Sequence, residues 1–67
     1  MNINEMILNE DDPFNAIYEC IDGIHGREVY DYIMDMYNQV VIDYGYHPDD
    51  DFEEIIEKMI MIMEEDR

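Results

Sequence analysis

Residues 27–44 read REVYDYIMDMYNQVVIDY and form the longest stretch of helical periodicity in the chain. Apolar side chains recur there at spacings of 4, 3, 1, 3 and 4 residues, at Val29, Ile33, Met36, Tyr37, Val40 and Tyr44. This pattern is typical of one face of an α-helix. A second apolar side carries Tyr30, Met34 and Val41. A helix that is apolar on two sides packs between neighbouring helices or against a second subunit.

A helix is predicted before this central segment, over residues 13–22. Asp12 precedes Pro13, and this pair is typical of an N-cap residue followed by proline at the first helical position. The apolar side of this segment consists of Phe14, Ile17, Tyr18 and Ile21. Gly23 stands where the helix would end. The connection to residue 27 is short, so the two helices should be direct neighbours.

A third main helix is predicted after Gly45 and the turn at Pro48, ending at about Glu65. The acidic residues 49–51 supply an N-cap and favourable charge at its positive end. Its buried stripe should comprise Phe52, Ile55, Ile56, Met59, Ile62 and Met63.

Two segments leave alternatives open. Ile3, Met6 and Ile7 have helical spacing, so residues 1–12 could contain a short helical turn. Val40, Val41 and Ile42 favour a strand, and a β-hairpin over residues 40–46 is the main rival to the end of the central helix. The periodicity favours a single all-α domain, a small bundle of three main helices with or without the N-terminal turn.

The charge of the chain is strongly unbalanced. Nineteen residues are Asp or Glu and three are Lys or Arg, which gives a formal net charge of -16 at pH 7. Like charges on one small domain repel each other. With 48% hydrophobic residues, however, the chain should fold rather than stay disordered. Such a field attracts basic surfaces, and the commonest of these hold nucleic acid.

Several carboxylates should form rows on the predicted helices. Asp31 and Asp35 are four residues apart, as are Glu53 and Glu57, so each pair lies about 6 Å apart on one face. Rows of this kind can stand in for the phosphates of a nucleic-acid backbone. The expected partner-binding residues are Glu28, Asp31, Asp35, Asp49, Asp50, Asp51, Glu53, Glu54 and Glu57, with Tyr30 and Tyr46 as anchors.

Few basic residues can neutralise these rows. Arg27 can meet Asp31, and Lys58 can meet Glu54, each at a spacing of four residues. Most other acidic side chains have no such neighbour on their own helix. The shortage of cations therefore favours binding through charge over a role in solubility alone.

The sequence does not indicate catalysis. The two histidines, His25 and His47, fall in predicted turns, and Cys20 reads as a small buried hydrophobe. Residues 43–54 have the length of a calcium loop, but Pro48 occupies the position that requires glycine. We expect no enzyme activity, no catalytic residue, no metal site and no cofactor.

Cysteine content and apolar run length bear on location. A single cysteine cannot form an internal disulfide and suits a reducing compartment. The longest apolar run, residues 59–63, is too short to span a bilayer. A cytoplasmic protein without membrane contact is expected.

In size and acidity the chain resembles the small proteins with which phages and mobile elements inhibit host defences. Some of these are DNA mimics: anti-restriction proteins, inhibitors of uracil-DNA glycosylase, and anti-CRISPR proteins that occupy the DNA channel of a Cas effector. The opening MNIN, followed by Glu5, is similar to the start of one anti-CRISPR protein against Cas9. The resemblance implies an inhibitor in the host cytoplasm that binds the basic groove of a nuclease, Cas effector, polymerase or repressor, without binding nucleic acid itself.

An adaptor role is the alternative function. The chain would then be a small helical adaptor or chaperone-like homodimer that binds through an apolar Met, Ile and Tyr surface. Met34, Val41 and Met61 would carry the contact, and the charge would only keep the protein dissolved.

Overall fold

The structure, a computed structural model, describes residues 2–66. It contains four α-helices: α1 (Ile3–Leu8), α2 (Pro13–Ile21), α3 (Arg27–Tyr44) and α4 (Phe52–Glu65). No strand occurs within this described range, and residues 40–44 continue α3. The predicted all-α bundle of three main helices is therefore confirmed, with α1 as the short N-terminal turn, and the hairpin alternative is wrong.

Side-chain caps start the first two helices. The Asn2 Oδ1 atom accepts a hydrogen bond from the Glu5 backbone N–H at 3.3 Å. The Asp12 Oδ1 atom accepts one from the Asn15 N–H, also at 3.3 Å, and Pro13 follows directly. Each cap satisfies a backbone donor that the first helical turn leaves without a partner. The Asp12–Pro13 start predicted from the sequence is confirmed.

Glycines in the left-handed region end α2 and α3. Gly23 has φ +83°, and beyond it the Ile24 N–H donates to the Glu19 carbonyl at 3.1 Å. Gly45 has φ +67°, and the Tyr46 N–H donates to the Val41 carbonyl at 3.2 Å. These bonds satisfy the last carbonyls of each helix and turn the chain back toward the bundle.

The core consists of twelve buried residues, all of them hydrophobic. α3 and α4 supply most of it, and α1 and α2 close it from the other side: the buried residues are Ile7, Ala16, Ile17, Cys20, Val29, Ile33, Tyr37, Val40, Ile55, Ile56, Met59 and Met63. No polar or charged residue of the described range is buried. Every carboxylate is therefore kept at the surface.

The buried face of α2 differs from the predicted one. Of the four expected core residues only Ile17 is fully buried, and it is accompanied by Ala16 and Cys20. Tyr18 is half-buried and stacks on the Phe52 ring, with centroids 5.5 Å apart. The reason is that α2 packs against α3 and α4 together. Its small side chains then face inward, and its aromatic side chains lie along the edge.

The predicted stripe of α3 is confirmed at four positions and wrong at its end. Val29, Ile33, Tyr37 and Val40 are buried, but Met36 is half-buried and Tyr44 is 52% exposed. Tyr44 lies outside the core because the chain reverses at Gly45, directly after the last turn of α3. The second apolar side is only partly covered within one chain.

Two isoleucines on α3 give a matched test of this packing. Ile33 is fully buried, whereas Ile42 is 73% exposed. Both substitutions to valine change helix propensity equally. We expect Ile33→Val to lower the free energy of unfolding by about 1 kcal/mol. Ile42→Val should change it by less than about 0.5 kcal/mol. Urea unfolding followed by circular dichroism measures both, and equal losses would contradict this core.

Candidate protein-binding surface

The outer side of α3 carries the predicted acidic row. Glu28, Asp31 and Asp35 are all exposed. The Arg27 Nε atom lies 3.8 Å from the Asp31 Oδ2 atom, with side chains 90% and 61% exposed. An ion pair whose side chains are this exposed to water contributes little to the stability of the fold. It is the only ion pair between described residues, so the expected Arg27–Asp31 pair is confirmed and the rest of the row is not neutralised.

An open groove of ≈ 650 Å³ lies between α3 and α4, and we call it the α3–α4 groove. It is lined by Tyr32, Asp35, Met36, Gln39, Val40, Asp43 and Ile62. Hydrogen bonds hold three of these side chains. The Tyr32 hydroxyl donates to the Asn4 Oδ1 atom of α1 at 2.6 Å. The Gln39 Nε2 atom donates to the Asp43 Oδ1 atom at 3.0 Å.

A smaller groove of ≈ 290 Å³, which we call the tyrosine groove, lies beside the α3–α4 turn. It is lined by Tyr46, Glu54, Glu57, Lys58 and Met61. Tyr44 stacks on Tyr46 with ring centroids 5.9 Å apart. The Lys58 Nζ atom lies 4.9 Å from the centre of the Tyr44 ring. This cation–π contact replaces the expected Lys58–Glu54 pair, which does not form between these described residues.

The acidic turn before α4 has a structural role that the sequence did not predict. Asp51 occupies the N-cap position, but its side chain makes no capping hydrogen bond. Its Oδ2 atom instead accepts from the His47 backbone N–H at 2.9 Å. The expectation that this side chain caps α4 is therefore wrong: the carboxylate reaches back and closes the turn.

Burial raises the pKa of the Tyr37 hydroxyl, and the nearby charge of Asp49 raises it further.

The structure separates the expected partner-binding residues into several groups. Tyr46, Glu54 and Glu57 meet in the tyrosine groove, and Asp35 lines the α3–α4 groove. Glu28, Asp31 and Glu53 are exposed outside both grooves, and residues 49–51 form the turn. Tyr30 lies apart, in a shallow depression with Gly23, Gly26 and Arg27 at the start of α3. It does not join the acidic rows.

Several residues in or beside the two grooves were absent from the set predicted for the inhibitor: Tyr32, Gln39, Asp43, Tyr44, Lys58 and Met61. Of these, Met61 was expected only at the apolar surface of the adaptor alternative. One signal could have found two of them, because Gln39 and Asp43 continue from Asp35 at spacings of four residues. Tyr44 was assigned to the core instead. No local signal places Ile62 opposite this row.

The remaining carboxylates are spread widely. Exposed or half-buried acidic side chains occur on all four helices and in the turns between them. The negative field therefore surrounds the molecule. What distinguishes the α3 and α4 side is the combination of carboxylates with tyrosine, methionine and isoleucine in two grooves.

The side chains that could take part in catalysis or metal binding lie apart from one another in the described structure. Cys20 is fully buried, whereas His25 is exposed. Burial raises the pKa of the Cys20 thiol, and the charge of Glu19 adds to this. Among residues 2–66, no three His, Cys, Asp or Glu side chains are grouped to hold a metal ion. None of the described helices has both the length and the apolar character to cross a membrane.

Comparisons of the chain with protein-family models, curated proteins and solved structures yield no match.

The buried thiol makes stability depend on alkaline pH. The ordinary pKa of a cysteine thiol here is 9.0, and the folded-state pKa of Cys20 lies above it. Above about pH 9 the unfolded chain loses this proton before the folded chain does, so the folded state binds more protons. The free energy of unfolding should therefore fall as pH rises from about 9 toward 10.

Urea midpoints measured at half-unit pH steps test this dependence. Cys20→Ala serves as the control, because it removes the titrating group whatever its effect on total stability. Its midpoints should decline less steeply above pH 9 than those of the original chain. Parallel slopes would show that the thiol is not the cause.

Proposed function

We propose that this protein is an acidic inhibitor that binds the basic nucleic-acid-binding groove of another protein, with its carboxylates in place of phosphates. The observation that carries the proposal is the uncompensated charge. The chain has nineteen acidic residues and only three basic ones, and one exposed ion pair forms between the described residues. The charge is thus available to a cationic partner.

The sign of the charge favours a protein partner over nucleic acid. A net charge of -16 repels phosphates, whereas it attracts a groove rich in Lys and Arg. Fields of this kind raise association rates by about 10- to 1,000-fold at low salt. The proposed targets are nucleases, Cas effectors, polymerases and repressors, and a phage or mobile element that antagonises a host defence would supply such an inhibitor.

The α3 and α4 surface is the proposed contact region. Met61 is 50% exposed and lines the tyrosine groove together with Glu54 and Glu57. Tyr44 is 52% exposed and contacts Tyr46 and Lys58 of the same groove. Tyrosine and methionine are enriched in protein interfaces because they combine large contact area with adaptable packing. Carboxylates beside them supply the charge that a basic groove requires.

The alternative, an apolar adaptor or homodimer, is favoured by the same exposed side chains and by Ile42 at 73% exposure. Charge opposes the homodimer, because each copy carries -16. Light scattering at 50 and 500 mM salt separates the two roles. A monomer at both salt concentrations is expected for the inhibitor, and a stable dimer at low salt would favour the adaptor.

Competition with DNA tests the proposed function. The tagged protein is incubated with a bacterial lysate, and the bound proteins are eluted with duplex DNA and identified by mass spectrometry. We expect a nucleic-acid-binding protein to be displaced by DNA. Its affinity, remeasured with the purified pair, should fall steeply between 50 and 500 mM salt because the attraction is screened.

A matched pair of variants then locates the contact. Asp35→Asn with Glu54→Gln and Glu57→Gln removes three charges from the α3 and α4 surface, and roughly tenfold weaker binding is expected. Glu10→Gln with Asp11→Asn and Asp22→Asn removes three exposed charges elsewhere, and should weaken it roughly twofold at most. Binding that is insensitive to salt and to DNA would refute the proposal.

A further inference from the structure

We infer that the α3–α4 groove binds one arginine side chain of the basic partner, with Asp35 as its ion-pair anchor. The inference rests on the proposed function and names the chemical group that this surface recognises. It depends on the arrangement of side chains in the groove, and not on the acidity of the molecule as a whole.

The α3 side of the groove combines an aromatic ring, the carboxylates of Asp35 and Asp43, and an amide oxygen. Tyr32, Asp35 and Met36 stand at i, i+3 and i+4 of α3, so they are neighbours on its surface. The Gln39 amide nitrogen is committed to Asp43, which leaves its Oε1 atom as an acceptor. A guanidinium group that stacks on the ring can donate to the Asp35 carboxylate and to this oxygen together.

The ring and the amide are held before any ligand arrives. The 2.6 Å hydrogen bond from the Tyr32 hydroxyl to Asn4 ties the ring to α1. The 3.0 Å bond between Gln39 and Asp43 fixes the amide along α3. Groups that are already ordered lose less conformational entropy on binding, which strengthens the interaction for a given set of contacts.

The floor of the groove suits the stem of a long side chain. Met36, Val40 and Ile62 line it, so methylene groups that lie across them leave water. Arginine fits better than lysine because its planar head both stacks on an aromatic ring and donates in two directions. No Lys or Arg lines the groove in the described structure: Arg27 pairs with Asp31, and Lys58 lies over Tyr44.

Two peptides of equal charge, octa-arginine and octa-lysine, test the inference. Each is titrated into the ¹⁵N-labelled full chain at 50 mM salt, and amide shifts and affinities are recorded. Octa-arginine should bind about fivefold more tightly. Its largest shifts should occur at Tyr32, Asp35, Gln39 and Ile62.

Two charge variants complete the test. Asp35→Asn should weaken octa-arginine binding about fivefold, which is the effect of one favourable exposed ion pair. Glu65→Gln removes one exposed charge of α4 outside the groove, and should weaken binding less than about twofold.

The outcomes separate this inference from the proposed function. Equal affinities for both peptides, with shifts scattered over all acidic segments, would overturn the arginine site while leaving charge-based binding intact. Equal losses for the two variants would overturn it as well. If neither peptide bound at 50 mM salt, both the site and the proposed function would fail.

Discussion

The structure depends on apolar burial that outweighs electrostatic repulsion. Folding gathers a net charge of -16 into a domain whose Cα radius of gyration is 11.1 Å, and every carboxylate resists that approach. Twelve buried hydrophobic side chains, with the half-buried ones packed against them, oppose the repulsion within the described residues. A chain of about this size buries only about 60% of the surface that its unfolded form exposes, so the margin is narrow. Burying a polar group without a hydrogen-bond partner in this interior would remove much of that margin of stability.

At the helix ends, too, charge repulsion acts against the packing of the fold. Acidic residues in the first turns, such as Glu53 and Glu54 of α4, interact favourably with the positive end of the helix dipole. None of the four described helices has a basic residue in its last turn, and α4 ends at Glu64 and Glu65. Charge there opposes the dipole, so packing must hold these ends in place. A cationic partner would relieve this repulsion, and its binding would stabilise the fold as well as occupy a surface.

The sequence predicted the helices well because their boundaries are encoded locally. Asp12 with Pro13 starts α2, and Gly45 ends α3, and both signals lie within a few residues of the boundary that they set. The errors arose at residues whose burial is set by contacts with another part of the chain. Tyr44 contacts Tyr46 and Lys58 outside the core. On α2, Phe14, Tyr18 and Ile21 are only half-buried, whereas Cys20 is buried as expected. Periodicity measures one helix at a time and contains no information about such contacts.

The candidate site could be predicted in part, for the same reason. The acidic rows of α3 and α4 follow from spacing alone. The α3–α4 groove does not, because it needs Ile62 from α4 and the hydrogen bond from Tyr32 to Asn4 in α1.

Under the proposed function, attraction and recognition would have separate origins in this protein. Carboxylates lie on all four helices, so they would attract a basic surface from any direction without orienting it. Screening limits that attraction to about 10 Å at 0.1 M salt. At contact, orientation must come from a part of the surface that differs from the rest. The α3–α4 groove differs because it combines Asp35 with a fixed tyrosine ring and an apolar floor. In the proposed complex, charge would bring the partner close, and the shape and chemistry of the groove would set its orientation.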